Sequence, residues 1–423
     1  MQIMFKILKN SWALFIGLGF IMTAHGLQGN LLGVRSVYEN FSLVSTGLIM
    51  SGFYIGYFIG AKNILTLVHR VGHIRVFAAM ASSASLVILV HSIYVHPFTW
   101  FIARIFSGIC MVGIYTIVES WLNDRSTNQT RGKVLSIYMM ISYFGMGLGM
   151  LLINFQKPEN YEPFILISIL MSLSLVPILL TKRKPPAFKK IQNLKITELY
   201  KISPLGVVSS VLTGFIHSAV FTLLAVYAAA LNFTLIEIGF ITFLLTISGA
   251  LAQFPIGYLS DMFDRRKMIS IFSMLAAFIA FILIFISAFV STSDTFKFLF
   301  YLCIILYAFC SLPLFSLNLS HTNDFISKDK FVAAGAGLQF AFAFGAMAGP
   351  FVCSLFMSTI GPKGFFVFLV VGNMLVGLFA LYRMSIRPVI ENKDNQFFPV
   401  PKSITPTGME LNPAANTEED NKI

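Results

Sequence analysis

Apolar runs long enough to cross a bilayer recur along this chain, and no other feature restricts its fold so sharply. A helix needs about 20 mostly apolar residues to traverse roughly 30 Å of hydrocarbon. Such runs lie near residues 11–34, 43–66, 74–95, 97–122, 132–154 and 162–181, and again near 204–230, 237–259, 268–291, 297–320, 331–356 and 362–384. Inside lipid every backbone polar group must be satisfied within the chain, so each run is read as a helix. The predicted fold class is all-α, an integral membrane protein of twelve transmembrane helices. Composition agrees, with 57% hydrophobic residues, 11% charged and 44 phenylalanines. A soluble chain of this size could not hide that surface, because single cores stop growing near ~250–300 residues. The first run follows Lys6 and Lys9 as a signal peptide would. It is longer than a signal h-region and no small-residue cleavage site follows, so it is read as the first span.

A formal charge of +12 would suggest nucleic-acid binding in a soluble protein. Here the basic residues fall between apolar runs rather than along one face, which excludes that reading and makes them topology signals. Of 30 Lys and Arg residues, about 24 lie at the termini or in the even-numbered loops, and Arg35, Lys157, Lys297 and Lys363 in the odd ones. Positively charged loops stay in the cytoplasm. The expected location is the cytoplasmic (inner) membrane with both termini inside. The cysteines, Cys110, Cys303, Cys310 and Cys353, sit in apolar runs without metal or redox spacing and read as small core residues. No cofactor or metal is expected.

The chain divides into a six-helix half (1–181), a basic linker (182–203), a second six-helix half (204–384) and a tail (385–423). In the linker, Ile191, Leu194, Leu199 and Ile202 recur at helical spacing opposite lysines, which suits an amphipathic helix on an anionic leaflet. The tail is polar and rich in Pro, Asn and Glu, and is expected to be disordered. Sliding the sequence by 192 residues puts His25 on His217, Gly47 on Gly239, and His69–Arg75 on Asp261–Lys267 without a gap. Register held from one helix through the next loop points to duplication. Two halves related by an axis along the membrane normal enclose a central crevice, a transport architecture.

The loop after the eighth run reads Gly257-Tyr-Leu-Ser-Asp261-Met-Phe-Asp264-Arg265-Arg266-Lys267. It resembles the loop motif of the major facilitator superfamily: glycine, aspartate, then a basic cluster. The N-half copy keeps the basic end, Arg70 and Arg75, but has His69 in place of the aspartate. The fourth span carries Arg104-Ile-Phe-Ser-Gly108 and ends in Glu119-Ser-Trp-Leu-Asn123-Asp124-Arg125. The tenth holds Leu317-Asn318-Leu-Ser-His321-Thr-Asn-Asp324, and the eleventh Gly345-Ala-Met-Ala-Gly349-Pro350. Together these resemble the YcaD-like bacterial branch of that superfamily. The resemblance implies two pseudo-symmetric six-helix bundles and secondary transport, with spans 1, 4, 7 and 10 lining the crevice. It also implies gating roles for Gly257, Asp261, Arg265 and Arg266, the glycine letting two helices approach and Asp261 capping a helix and pairing with arginines across its half-domain to hold one state closed. Drug/proton antiporters of the family have a glycine–proline motif in span 5; this chain has Gly145-Met-Gly147-Leu-Gly149 there, which speaks against drug efflux and for close helix packing.

Ionisable residues inside a span are costly and face a cavity or a partner. On the fourth span Arg104, Gly108, Met111, Tyr115 and Glu119 share a face. Arg104 is read as a site for an anionic substrate group, against the alternative that it snorkels or bonds backbone carbonyls. Glu119, with Asn123, is read as an inner-gate residue salt-bridged near Arg125, Arg70 and Arg75, with proton coupling as the alternative. His25 and Gln28 share a face of span 1, and His217 is the symmetry mate of His25; both histidines are candidates for substrate or a coupling proton. Asn318 is a substrate-site candidate, while His321 and Asp324 lie nearer the gate. The expected partners are the lipid bilayer and a small solute, with an anion as the candidate class, moved by a monomer. Two rivals remain: a membrane-embedded enzyme, against which stands the lack of a His-Glu-x-x-His, a phosphate-cradling loop or paired intramembrane carboxylates, and a transporter-like sensor or assembly partner.

Overall fold

A computed structural model describes residues 2–127, 129–180, 194–290, 292–386, 396–401 and 404–414, the first nine of them as helix backbone alone. The N-terminal spans are α1 (Gln2–Tyr38), α2 (Leu43–Val71), α3 (His73–Ile93), α4 (Pro97–Asp124), α5 (Arg131–Leu151) and α6 (Glu162–Leu173, continuing as Leu175–Leu179). A short linker helix, Ile196–Ile202, leads to α7 (Pro204–Ala230), α8 (Leu235–Met262), α9 (Arg265–Phe289), α10 (Asp294–Ser311, resuming as Leu314–Asn323), α11 (Phe331–Ile360) and α12 (Gly364–Ile386). All twelve are long and apolar enough to cross a membrane. Local chemistry sets the ends: Ser42, Ser203 and Asp264 accept from first-turn amides of α2, α7 and α9, and Thr234 with Glu237 closes a capping box on α8. The break in α10 falls at Leu312–Pro313, where proline removes a helix donor.

Lipid tails are as apolar as leucine, so helices in a bilayer associate through close packing at small residues. The glycines of α5 act this way. A Cβ on Gly149 would lie 1.9 Å from the Thr23 carbonyl oxygen, and one on Gly26 of α1 would lie 2.0 Å from that of Met146. The second half repeats the device between α7 and α11: Cβ atoms on Gly345 and Gly214 would lie 1.9 Å from Val211 O and 2.0 Å from Phe342 O. The glycine pair found by sliding the sequence shows the same symmetry. Gly47 of α2 packs on Ser354 of α11, and Gly239 of α8 packs on Met150 of α5.

These last contacts join the halves, and all lie toward the face away from the chain termini. Asn30 of α1 donates to Thr242 of α8 at 2.8 Å, and the Phe351 amide of α11 donates to Ser51 of α2 at 3.2 Å. At the terminal face a different element stands between the halves: residues 396–401 and 404–414 of the C-terminal segment. The expectation of a disordered tail fails for its described residues. Phe398, Val400, Ile404, Met409 and Leu411 are buried, because the crevice supplies the apolar surface that the tail lacks by itself. Lys182, Arg183, Lys184, Lys189, Lys190 and Ile191 of the linker lie outside the described residues. Within the linker helix Leu199 is buried against Gly337 of α11, while Ile196 and Tyr200 are exposed.

Candidate functional site

The helix packing leaves a cavity between the halves, with about 580 Å³ of space not filled by atoms, open solvent included. Met22 and His25 come from α1, Phe53, Tyr54 and Tyr57 from α2, Tyr115 from α4, and Ser142, Tyr143 and Met146 from α5. The opposing wall is Gln339, Phe342 and Ala343 of α11, and Pro401 of the tail closes the terminal side. A smaller cleft shares Tyr143 and Phe342, and adds His217, Phe221, Leu312, Phe315 and Val400. The site is an aromatic box with a few polar groups at its rim.

Arg104 is placed behind this box rather than in it. It is 2% exposed, and its guanidinium lies over the Phe53 ring, 4.6 Å from the centroid. Its Nε and Nη1 are buried and have no hydrogen-bond partner among the described residues. A buried cation without an anion is costly, and this one is separated from the cavity by a single ring. His25 packs against the same ring at 5.2 Å and against Tyr115 at 6.4 Å. His217 does not flank Arg104: its Nε2 donates to the Ser311 carbonyl at 3.0 Å, at the break in α10. Gln28 donates to Ser107 at 3.4 Å, joining α1 to α4, and Asn318 donates to Thr213 at 3.2 Å, joining α10 to α7. Both are buried and neither lines the cavity.

The gate candidates separate into two groups. Glu119 is fully buried but forms no ion pair among the described residues, and the expected salt bridge to Arg125, Arg70 or Arg75 is absent. Arg70 and Arg75 are exposed, while Tyr138 donates to Glu119 at 2.7 Å and the Thr405 amide does so at 3.1 Å. The Thr405 hydroxyl and Asn123, the latter through Glu410, complete the attachment of the tail. The chain's own tail has taken the place that an arginine was expected to fill.

The second group surrounds Arg265, 1% exposed, at the start of α9. Its Nη1 donates to Asp324 at 2.5 Å and to the Ser320 carbonyl at 2.8 Å, and its Nη2 to Asp261 at 2.8 Å. The pairing of Asp261 with the basic cluster tethers α8, α9 and α10 within the C-terminal half. Asp264, rather than Asp261, caps the helix, accepting from the Arg266 amide at 3.0 Å and pairing with the Arg266 guanidinium at 2.8 Å. A Cβ on Gly257 would lie 2.5 Å from the ring of the tail's Phe397. His321 packs edge-on against Phe325 at 5.0 Å, at the terminal end of α10.

Sequence reasoning missed the aromatic wall of α2, the α5 and α11 residues, and the tail. Attention to charged groups on spans 1, 4, 7 and 10 passed over Phe53, Tyr54 and Tyr57, although three aromatic residues within two turns was a readable signal.

Comparison with known proteins agrees with this architecture. The Major Facilitator Superfamily model matches residues 12–235 and 206–414. The chain belongs to the major facilitator superfamily. Its relatives include an uncharacterized MFS-type transporter, YcaD, of Escherichia fergusonii, 23% identical over 360 residues that cover 84% of this chain and 90% of the relative. A YcaD of Escherichia coli is 27% identical over 261 residues, 60% of this chain and 66% of that one. The fold matches the crystal structure of the nucleoside transporter NupG with a TM-score of 0.74 at 14% identity, over 89% of this chain and 98% of that one. A D-xylose-proton symporter matches with a TM-score of 0.65 at 17% identity, over 93% and 98%. The chain is thus a multi-pass membrane transporter of the superfamily, and its curated relatives are YcaD-like.

Proposed function

We propose that this protein moves a small solute across the inner membrane by alternating access, with the aromatic cavity as its binding site. The distribution of Lys and Arg supports cytoplasmic termini, which makes the terminal face the inner one. Halves in contact on the far side and parted on the terminal side then form an inward-facing arrangement. The observation that carries the site assignment is Arg104, buried beside the cavity with two nitrogens unpartnered among the described residues. The substrate class it supports is a small, mainly apolar or aromatic molecule with one anionic group. The body of the molecule fits between Phe53, Tyr54, Tyr115 and Phe342, and rotation of Phe53 would admit the anion to the guanidinium.

Ion coupling is part of the same reading. Glu119 is a carboxylate in the transmembrane region with no cation beside it among the described residues, which suits a proton carrier better than His217, whose Nε2 is committed to a backbone carbonyl. One observation favours a second reading, a transporter-like sensor: the tail occupies the crevice through which solute would pass. Solute uptake by vesicles holding the purified protein separates the two.

The test is a thermal-shift screen against aromatic and aliphatic carboxylates, followed by binding measurements on any hit. Arg104→Lys keeps the charge but loses the planar fork; since hydrogen bonds to charged groups contribute roughly 1.5–3 kcal/mol, affinity should fall at least about tenfold. If Arg104→Lys and His25→Ala both bind as tightly as wild type, the site lies elsewhere.

A further inference from the structure

The described residues of the C-terminal segment, 396–401 and 404–414, make contacts of a kind expected for a bound peptide. Its backbone amides at Phe397, Phe398, Val400 and Thr405 donate to Asp261 (2.8 Å), Ser320 (3.0 Å), Ser316 (3.1 Å) and Glu119 (3.1 Å). The Ile404 carbonyl accepts from the Tyr57 hydroxyl at 3.1 Å. Asp261, Ser316 and Ser320 belong to the C-terminal half, and Tyr57 and Glu119 to the N-terminal half, so one short segment bridges both. Two glycines shape its seat. A Cβ on Gly335 of α11 would lie 2.8 Å from the Met409 sulfur, and a Cβ on the segment's own Gly408 would lie 2.6 Å from the Glu119 carboxyl carbon.

We propose that the crevice at the terminal face is a peptide-binding groove whose ligand is the chain's own C-terminal segment, seated as a removable plug. Three features support it. Main-chain hydrogen bonds to polar side chains hold the segment, as they hold extended peptides in other grooves. Pro401 and Val400 form the floor of the two central cavities, so the seated segment closes them from this side. Its attachment to both halves also ties them in one relative position. Release of the segment would open the cavities to this face and free the halves to move. The groove is independent of the identity of any transported solute, so it is tested by binding alone.

The experiment uses a chain truncated after Arg387 and a fluorescent synthetic peptide of residues 396–414, followed by fluorescence polarisation. The truncated chain should bind the peptide saturably. A peptide carrying Gly408→Leu should bind at least about tenfold more weakly, and this comparison leaves the membrane protein unaltered. A tethered segment has an effective concentration on the order of 1 mM. If the free peptide binds at about 10 μM, the full chain should therefore bind it roughly 100-fold more weakly than the truncated one. Equal binding to full and truncated chains, or indifference to Gly408→Leu, would overturn the proposal. A second measurement covers the case in which the truncated chain misfolds. In the full chain, cysteines at Ser316 and Val400 should form a disulfide under mild oxidation, because the two residues are already in hydrogen-bond contact. If both thiols remain free in folded protein, the segment does not occupy the groove.

Discussion

Removing the charge from Asp324 should destabilise the protein far more than removing it from Asp261, although both contact Arg265. Arg265 is 1% exposed, Asp324 5% and Asp261 38%. Breaking a buried ion pair by altering one partner costs about 3–5 kcal/mol, because the other charge is left uncompensated. In Asp324→Asn the guanidinium keeps the Ser320 carbonyl and Asp261, so roughly 2–3 kcal/mol of that is expected. Asp261 is largely solvated and screened, so Asp261→Asn should cost about 1 kcal/mol or less. The assay is the apparent unfolding midpoint of detergent-solubilised protein, read from tryptophan fluorescence during heating. At about 2–4 °C per kcal/mol for domains the size of one half, Asp324→Asn should lower it by roughly 4–12 °C and Asp261→Asn by a few degrees at most. Replacing Arg265 and Asp324 together by Met and Leu should recover part of the loss, since a well-packed apolar pair avoids the desolvation penalty. If Asp261→Asn is as damaging as Asp324→Asn, or the double variant is worse than the single, burial does not decide the strength of this cluster.

Other measurements address different parts of the structure. Gly149→Leu should sharply reduce folded yield by size-exclusion profile, since even a Cβ there would sit 1.9 Å from a carbonyl oxygen and overpacking costs typically ~1–3 kcal/mol. Asn30→Leu removes a hydrogen bond between the halves worth about 0.6 kcal/mol in a membrane protein; the non-terminal face should open roughly threefold more often, read as faster alkylation of a cysteine placed at Phe221. A reporter fused after Lys195 and one inserted near Lys157 should lie on opposite sides of the membrane, and finding both on one side would overturn the proposed orientation.

Much of this molecule could be read in one dimension. A bilayer has a fixed thickness and a charge bias across it, so span length and loop charge are local properties that need no knowledge of packing. The twelve helices, the superfamily and the glycine contacts of α5 follow from such properties. The repeat does so too, since Gly47 and Gly239 occupy matching places between the halves.

The site was only partly legible, because its character depends on what lies across a gap. Arg104 could be singled out as a buried charge, but the sequence does not disclose that Phe53 from another helix covers it. Arg265 and Asp324 are 59 residues apart and meet only once α9 and α10 pack. The tail is the clearest case. Phe397, Phe398, Val400, Ile404, Met409 and Leu411 are too few and too irregularly spaced to form a core of their own. All but the half-buried Phe397 become buried because helices from both halves have already built a crevice lined with Gly335, Ser316, Ser320 and Glu119. Local sequence sets which segments cross the bilayer, whereas burial of the tail is a cooperative property of helices distant in the chain, and only the tertiary structure decides it.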